Sequence, residues 1–540
     1  MKSNLLPPTS SVGHVTLNCR YTHTSPSIRI LRNISHNFGI ENAWCQEFSL
    51  SEPLWKIAGS ILDRNPSIVT FSIYLWNRNT ILELAQYLKK LRPDLTIVAG
   101  GPEVSFENEA PPAFDYLLCG EAESEWPNFL AAHLTTPLHP QNYDWSSKNA
   151  IWPYLPAESD VLSGRIVYLE TTRGCPYNCA FCLSGIHDLK VREWMPFDQT
   201  TYLMKIRELI KEGVYCFKFL DRTFNYNPAR ALEWFKALAE VEGATFHFEV
   251  CAHLLDDKTM GFLSTLPPGK FQFEIGIQSL NTDSLKSVSS PYRTDVLLRR
   301  TEQLIALDKI LVHADLLFGL PIETYDSALS GFDRIAKMFP NELQLGFLKF
   351  LPGSKLRQIA AEYDYCYQQK PPYEVISNKT LSASDLLQLK EIEYVFNLYY
   401  NSNRFRQTLR YLIKRLSLPP SDVFLALARY FRKNELFTLS LSLNLKYQHL
   451  LNMLSQAFLT IEKTVLLDYL RLDYVTSQVV TNLPPFLSVP AACNSECFTN
   501  TSGSQSVYFE YQLDTDALIF SDRHSPAWYE IRKQKLKRIF

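Results

Sequence analysis

Three cysteines lie close together in the segment 171–182, which reads TTRGCPYNCAFC. Cys175, Cys179 and Cys182 have the spacing C-x₃-C-x₂-C, and the segment contains no fourth cysteine. Thiolate is a soft ligand that selects iron–sulfur clusters, zinc or copper(I), and this spacing lets one short loop wrap one side of a cubane. A four-iron cluster held by three cysteines leaves one iron open, so a substrate or cosubstrate can bind the metal directly. The pattern favours a catalytic cluster.

Two other interpretations of these thiols stay open on the sequence alone. The local spacing permits His187 to complete a closed zinc site with the three cysteines. Alternatively, the three thiols simply pack in a loop. An assay for iron and acid-labile sulfide on anaerobically purified protein separates the three interpretations, because a zinc site contains no sulfide.

The composition is that of an ordinary folded protein, with 46% hydrophobic and 20% charged residues in 540. At roughly 100–200 residues a domain, this length predicts about three to four domains. With a formal net charge of −2, the protein as a whole does not attract the negatively charged backbone of nucleic acids, so nucleic-acid binding is not expected. No secretory signal is recognised near the N-terminus, and no apolar run reaches the roughly 18 residues of a membrane span. The odd count of 11 cysteines fits reduced thiols, and we expect a cytoplasmic protein.

The elements before the cysteines predict a doubly wound parallel sheet over residues 13–135. Short β-branched runs alternate there with helical patterns, and five βα repeats are counted. One helix is expected to begin at a capping box of Thr80 and Glu83. Sheets of this kind bind ligands outside the carboxyl ends of their strands.

The cysteines themselves follow the first strand of a second α/β region. Residues 136–160 lack periodicity and are interpreted as a linker, and residues 161–357 contain six strand-like runs with helical stretches between them. Six such units predict an open, partial TIM-like (β/α)₆ barrel, whose active site lies at the carboxyl ends of the strands. Residues 358–540 are predicted to form a mostly helical C-terminal domain, with two late strand-like runs.

On these residues the sequence resembles the radical S-adenosylmethionine (SAM) superfamily, and in particular its members with an N-terminal cobalamin-binding domain. The resemblance covers about residues 13–357. It implies that the three cysteines hold a [4Fe–4S] cluster whose open iron chelates the amino and carboxylate groups of SAM. An electron then cleaves SAM to methionine and a 5′-deoxyadenosyl radical. Phe181 fills the aromatic position before the third cysteine, where the family backbone contacts adenine.

The resemblance also implies where SAM contacts lie, although the family's usual Gly-Gly-Glu at the second strand is replaced here by FLDRTFN. The expected contacts are at strand ends, with His313 and Asp315 as additional pocket groups. Arg293 is expected to clamp the SAM carboxylate. Together with Phe181, the expected SAM-binding residues are Asp221, Arg222, Glu249, Gln278, Ser279, Arg293 and Leu351.

A cobalamin site is expected at the strand ends of the first domain. The residues concerned are Ser72, Tyr74, Gly100, Gly101, Gly120 and Glu121, together with His23 as a potential lower cobalt ligand. The family signature Asp-x-His-x-x-Gly, which supplies that ligand elsewhere, is missing after the first strand. The domain could therefore also be vestigial and retained for its shape.

The resemblance implies a cobalamin-dependent methyl transfer to an unactivated carbon, with methylcobalamin as the immediate methyl donor and a reductant protein such as flavodoxin or ferredoxin as partner. A second interpretation keeps the radical step but replaces methyl transfer by cyclisation, rearrangement or methylthiolation. A third is a zinc-stabilised RNA-binding module.

Two further patterns lie near the C-terminal end. Cys493 with Cys497 is compatible with a metal pair, but packing thiols are the expected interpretation. The basic run IRKQKLKRIF is compatible with a phosphate-binding helix, but a solvated face is the expected interpretation. The residues do not identify the substrate or a catalytic side chain.

Overall fold

The computed structural model describes residues 11–107, 109–133, 150–185, 191–291, 293–477, 483–488, 505–514, 519–532 and 535–538. For the last three ranges, and for residues 157, 159 and 185, only the backbone is described. The chain divides into two compact units. One contains residues up to 323 together with 346–382, and the other contains 324–345 and the residues from 383 onward.

The first sheet has five strands, all parallel, in agreement with the doubly wound prediction. The strands are β1 (Val12–Asn18), β2 (Ala43–Ser49), β3 (Ile68–Ser72), β4 (Thr96–Gly100) and β5 (Tyr116–Leu118), in the order β2-β1-β3-β4-β5. Its helices are α1 (Pro26–Asn37), α2 (Leu54–Leu62), α3 (Arg78–Leu91) and α4 (Ala122–His133). One hydrophobic cluster joins the sheet to α2 and α3, and a second joins it to α1 and α4. Every residue of β1 is buried because helices cover both faces of the sheet.

The start of α3 differs from the capping-box prediction. The helix begins at Arg78, so Thr80 and Glu83 lie inside its first two turns. Asn77 precedes the helix, and its side chain accepts a hydrogen bond from the Tyr74 N–H at 2.8 Å instead of capping the helix. The prediction was wrong because the loop after β3 makes its own hydrogen bonds, which the local sequence pattern does not reveal.

The second sheet has six strands, as the six strand-like runs predicted. They are β6 (Ile166–Leu169), β9 (Cys216–Phe219), β10 (Thr245–Glu249), β11 (Phe271–Gln278), β12 (Leu311–Phe318) and β13 (Glu342–Phe347), in the order β13-β12-β11-β10-β9-β6. A short antiparallel pair, β7 (Thr172–Arg173) with β8 (Arg192–Glu193), flanks the cysteine loop. The helices of this region are α5 (Ser159–Leu162), α6 (Gln199–Lys211), α7 (Pro228–Ala239), α8 (Asp257–Leu263), α9 (Thr282–Ser287) and α10 (Thr294–Leu307). The next helix, α11 (Tyr325–Ala336), belongs to the second unit.

Phenylalanine alternates with polar residues along β9, β10 and β11. The phenylalanines of these strands are all buried and pack with one another and with Phe235 of α7: Phe217, Phe219, Phe246, Phe248, Phe271 and Phe273. Because successive side chains in a strand point to opposite faces, the polar residues share the other face. That face is the inside of the open barrel, and it carries Lys218, His247, Glu249 and Glu274.

After β13 the first unit is completed by α12 (Lys355–Gln358) and the pair β14 (Cys366–Tyr367) and β15 (Val375–Ser377). The second unit is mostly helical, as predicted, with α13 (Ala383–Phe396), α14 (Arg406–Arg410), α15 (Pro420–Lys433), α16 (Leu443–Ala457) and α17 (Lys463–Thr476). Its core includes Phe396, whose ring centroid lies 5.2 Å from that of Phe332 and 4.8 Å from that of Phe424.

The late strand-like runs form an antiparallel sheet of β16 (Gln505–Asp514), β17 (Ile519–Arg532) and β18 (Lys535–Arg538). The basic C-terminal run, interpreted above as compatible with a helix, is therefore a strand from Lys535 to Arg538. Cys493 and Cys497 lie outside the described residues. No helix in the described ranges is both long and apolar enough to span a membrane.

Candidate active site

The cysteine loop follows β6 at the carboxyl end of the barrel sheet and is held by backbone hydrogen bonds from two other segments. The Ala180 N–H donates to the Val288 carbonyl at 2.8 Å, and the Leu356 N–H donates to the Ala180 carbonyl at 2.8 Å. Within the loop, the Cys182 N–H donates to the Cys179 carbonyl at 3.0 Å. The loop is therefore fixed by residues after α9 and at α12 rather than by its own sequence alone.

Asp221, an expected SAM contact, is fully buried and bound to the segment that leads into the cysteine loop. One of its carboxylate oxygens accepts from the Thr171 N–H at 2.9 Å, and the other accepts from the Thr171 hydroxyl and, at 2.7 Å, the Thr172 hydroxyl. Arg230 donates to the Thr171 hydroxyl at 2.6 Å. Burial raises the pKa of Asp221, while these hydrogen bonds act in the opposite direction. Asp221 thus anchors the loop, with both oxygens already engaged.

The three thiols of the loop are half-buried and near one another. Burial is the largest cause that raises the pKa of Cys179 to about 11, and the neighbouring Cys182 and Cys175 raise it further. Among the described residues, no group of three or more His, Cys, Asp or Glu side chains is placed to hold a metal ion. His187, the fourth ligand of the zinc interpretation, lies outside those residues. Three thiolates on one loop are a soft donor set of the kind that iron–sulfur clusters use, so the residues present fit such a cluster.

A fourth thiol next to the loop was missed by the sequence analysis. Cys251 follows β10, and its Sγ lies 3.2 Å from Nδ1 of His253. The Tyr177 hydroxyl, from inside the cysteine loop, lies 3.1 Å from Nε2 of the same histidine. Asn225 fixes the Cys251 backbone, since its side chain bonds the Cys251 N–H at 2.8 Å and carbonyl at 2.9 Å. Only the fold brings this thiol beside the triplet.

Of the expected SAM contacts, Arg222 and Glu249 meet at the barrel mouth, with Nη1 of the arginine 3.7 Å from Oε1 of the glutamate. Burial raises the pKa of Glu249 to about 7, and Arg222 opposes that rise. His313 and Asp315 lie together on β12, with Nε2 and Oδ1 3.2 Å apart. Arg222 and Glu249 are thus brought together by strands that are separate in sequence.

The remaining expected SAM contacts are more dispersed. Gln278 ends β11 with a left-handed φ of 66°, at a register shift in the strand. Phe181 and Leu351 are half-buried, and Arg293 is exposed at the start of α10. Residues with side chains rarely adopt positive φ without a local constraint, so the backbone at Gln278 marks a constrained strand end.

Ser279 is buried and donates a hydrogen bond to Oε1 of Glu323, a residue that the sequence analysis did not single out. Glu323 is 2% exposed, and its second oxygen, Oε2, has no hydrogen-bond partner in the described part of the chain. Burial raises the pKa of Glu323 to about 7.

Glu323→Gln should reduce the pH dependence of folding stability. The folded protein holds the Glu323 proton more tightly than the unfolded chain, so the stability from this group is present below about pH 4.5 and is lost as pH rises through 7. The loss amounts to about 3 kcal/mol between those limits. Denaturant unfolding at pH 5 and pH 8 measures it, with exposed Glu240→Gln as the control. Equal pH dependence in wild type and Glu323→Gln would contradict the assignment.

The polar face inside the barrel carries an ionic group that the sequence analysis also missed. Lys218 Nζ and His247 Nε2 each lie 2.9 Å from Oε2 of Glu274. Burial alone would raise the pKa of Glu274, but the hydrogen bonds from His247 and Lys218 lower it well below its ordinary value. The alternation of phenylalanine with polar residues on three consecutive strands was the signal that could have found this group.

A cavity of about 450 Å³ lies at the carboxyl ends of the first sheet and is bordered on its other side by residues of the barrel mouth. Both walls belong to the first compact unit. Six of the seven expected cobalamin contacts line it: Ser72, Tyr74, Gly100, Gly101, Gly120 and Glu121. The barrel contributes Glu170, Arg173, Trp194 and Arg222, of which only Arg222 was expected at a cofactor site.

His23, the expected cobalt ligand, is not among the residues that line this cavity. Its backbone pairs with Ile166 at the start of β6, and its Nδ1 lies 2.6 Å from the Tyr168 hydroxyl. Burial lowers the pKa of His23. The structure therefore gives His23 a hydrogen-bonding partner on β6 and does not place it in the cavity lining.

The two glycines at the end of β4 have different roles. A Cβ on Gly101, whose φ is 105°, would lie 2.5 Å from the Ile73 carbonyl oxygen, so the backbone packing itself requires glycine. A Cβ on Gly100 would make only ordinary contacts, at 3.6 Å from Leu118. Gly100 is therefore the position where a side chain can be added to the cavity wall without breaking the strand.

Comparison with known families matches three parts of the chain. Residues 169–330 match the radical SAM superfamily, residues 15–130 match the B12 binding domain, and residues 361–513 match a protein of unknown function (DUF4080). The open six-stranded barrel with its three-cysteine loop is thus a radical SAM domain. The chain thus combines this radical SAM domain with an N-terminal B12-binding domain and a C-terminal region of the DUF4080 type.

Similar proteins of known activity are distant. The cobalamin-dependent radical SAM methyltransferase TokK of Streptomyces tokunonensis is 26% identical, over 57% of this chain and 50% of TokK. The 2-(S-pantetheinyl)-carbapenam-3-carboxylate methyltransferase of Streptantibioticus cattleyicolor is 25% identical, over 58% of this chain and 51% of that enzyme. The chain spans about half the length of the curated relatives that it matches.

Among solved structures, the cobalamin-dependent S-adenosylmethionine radical enzyme OxsB with aqua-cobalamin bound is similar with a TM-score of 0.54. The match covers 87% of this chain and 80% of OxsB at 13% sequence identity. At this identity the likeness concerns the fold alone.

Proposed function

We propose that this chain is a cobalamin-dependent radical SAM methyltransferase that transfers a methyl group to an unactivated carbon. The observation that carries the proposal is the shared cavity. One wall of this cavity consists of the strand ends of the B12-binding domain. The other wall contains Arg173, which lies two residues before Cys175, the first cysteine of the loop. A cobalamin bound at the first wall would therefore face the site of radical formation.

Each cofactor has a set of residues that would hold it. Cys175, Cys179 and Cys182 would hold the [4Fe–4S] cluster, and Arg222 with Glu249 would bind SAM at the barrel mouth. The SAM-binding role is also proposed for Phe181, Gln278, Ser279, Arg293 and Leu351, and the cobalamin-binding role for Ser72, Tyr74, Gly100, Gly101, Gly120 and Glu121. For Asp221 we propose a positioning role, because its carboxylate holds Thr171 and Thr172.

When bound, the cluster with SAM supplies the 5′-deoxyadenosyl radical that removes a substrate hydrogen, and cobalamin supplies the methyl group. The chain itself must exclude water from the cavity, and apolar side chains from both walls, including Leu31, Leu118, Trp152 and Leu220, line it. Lys218, His247 and Glu274 lie deeper in the barrel and provide a polar inner surface. We expect the electron to come from an external reductant such as flavodoxin or ferredoxin.

Anaerobic reconstitution tests the proposal. The full chain is loaded with iron, sulfide and cobalamin and incubated with a reductant and SAM that carries deuterium in its methyl group. We expect 5′-deoxyadenosine, deuterium in the cobalamin fraction and, with a metabolite extract as the source of substrate, deuterium on a carbon of one product. Mass spectrometry measures all three.

Other results of this experiment would favour the alternative functions. Deoxyadenosine without deuterium in cobalamin or product favours cyclisation or rearrangement with a vestigial cobalamin domain, and deuterium on a product sulfur favours methylthiolation. Zinc without acid-labile sulfide, together with no deoxyadenosine, would contradict the enzyme proposal and favour the RNA-binding module. RNA binding would then weaken steeply with added salt.

A further inference from the structure

Arg173 connects the cysteine loop to the B12-binding domain. It lies in β7 and is separated from Cys175 only by Gly174. Its guanidinium makes a two-pronged contact with Glu170, in which Nε and Nη2 each lie 2.9 Å from a different carboxylate oxygen. Nη2 also donates to Glu123 in the first turn of α4 at 2.5 Å. One side chain thus joins the end of the first barrel strand to a helix of the other domain.

The position of this guanidinium is fixed by further contacts. Its carbon Cζ lies 3.9 Å from the centroid of the Trp194 ring, within the range of a cation–π interaction. Nη1 lies 3.6 Å from Oε2 of Glu121. The Arg173 side chain is 17% exposed, so the guanidinium itself is largely shielded from solvent. A planar guanidinium with several fixed partners has little freedom to move independently of them.

The partners of Arg173 lie where a cobalamin would bind. Glu121, Glu123, Glu170 and Trp194 all line the shared cavity, as Arg173 does itself. The periphery of a corrin carries amide groups, which donate hydrogen bonds to carboxylates. A corrin that binds next to α4 therefore competes with Arg173 for Glu121 and Glu123, and any change in those contacts reaches the segment 173–175.

We propose that Arg173 is a positioning residue that couples occupancy of the cobalamin cavity to the geometry of the cysteine loop, and so to SAM binding. The proposal rests on the proposed function, because it needs both cofactors at their two walls. Coupling between two sites is reciprocal, so cobalamin should change the affinity for SAM by the same factor by which SAM changes the affinity for cobalamin.

The experiment measures that factor. Cobalamin binding to the cluster-loaded full chain is followed by equilibrium dialysis with and without SAM, with the cluster oxidised so that SAM is not cleaved. We expect the two dissociation constants to differ by about fivefold or more in the wild type. In Arg173→Gln and in Glu123→Gln the ratio should fall to about 1, and the double variant should show no further change. In Arg173→Lys, which keeps the charge but loses the two-pronged contact, the ratio should be intermediate.

Arg192→Gln is the matched control. Arg192 pairs with Glu121 and lies over the same Trp194 ring, at 5.2 Å. Its charge acts on Glu123 only through space, without a hydrogen bond to Glu123 or Glu170. It should keep the wild-type ratio. If Arg173 contributed only to stability, its replacement would raise the dissociation constant of cobalamin both with and without SAM and would leave the ratio of the two constants unchanged.

Three results separate the proposals. The coupling is overturned if Arg173→Gln keeps the same ratio of dissociation constants as the wild type. It is also overturned if the wild type binds both ligands with a ratio of 1. Both results leave the proposed function standing. A wild type that binds neither SAM nor cobalamin contradicts the proposed function. If Arg173→Gln fails to load a cluster, Glu123→Gln decides the question, because it leaves the cysteine segment unchanged.

Discussion

Cys179→Ala should abolish both cluster loading and formation of 5′-deoxyadenosine, while most of the fold remains. Cys179 is the middle cysteine of the loop, and without it only two thiols of the triplet remain, too few to hold a cubane with one open iron. The loop itself stays held by the Ala180 hydrogen bonds to Val288 and Leu356, which involve only backbone atoms. Loss of a residue that only orients a metal ligand typically costs about 10–100-fold in metal affinity. Because Cys179 is itself a ligand, we expect iron and sulfide content, the visible absorption of the cluster and SAM cleavage to fall by about a hundredfold or more.

Cys251→Ala is the control for this variant. Cys251 is a free thiol beside the same loop, hydrogen-bonded to His253, but it lies outside the C-x₃-C-x₂-C pattern. Its removal should leave cluster content near the wild-type value. Retained SAM cleavage in Cys179→Ala, or equal cluster loss in both variants, would show that the triplet is not the ligand set.

The sequence predicted those parts of the molecule that depend on local patterns. The strand-like runs from β6 to β13 could be recognised because phenylalanine or aliphatic residues recur at every second position. The cavity wall could be recognised because Ser72, Gly100 and Gly120 stand at or just after successive strand ends of a parallel sheet, where such sheets bind ligands. The cysteine spacing lies within one loop and needs no knowledge of the fold.

The contacts that the sequence did not reveal join residues that are far apart in the chain. Glu123 and Arg173 are 50 positions apart, and His23 and Tyr168 are 145 apart. A carboxylate at a strand end, such as Asp221, has the same local pattern whether it binds a ligand or anchors a neighbouring loop. Its burial and its hydrogen bonds to Thr171 and Thr172 favour the anchoring role, and both are properties of the packed structure.

Gly100→Val should weaken cobalamin binding strongly without unfolding the protein. The added Cβ lies 3.6 Å from Leu118, an ordinary contact, and valine is favoured in strands. Gly100 lines the cavity, so the two added methyl groups occupy space that the corrin needs. A loss of about 3 kcal/mol, the upper end expected for overpacking, raises the dissociation constant about a hundredfold. Titration of cobalamin followed by its visible absorption measures it.

Gly59→Val is the matched control, since the same change is made in the same domain at an exposed position of α2, where nothing lies within 4 Å of the added Cβ. Its cobalamin affinity should equal that of the wild type. Gly101→Val is less informative, because the Cβ meets the Ile73 backbone and the variant loses strand packing together with any ligand contact. If Gly100→Val keeps the wild-type affinity for cobalamin while circular dichroism shows intact folding, cobalamin does not bind in this cavity. The proposed proximity of cobalamin to the cysteine loop would then be wrong.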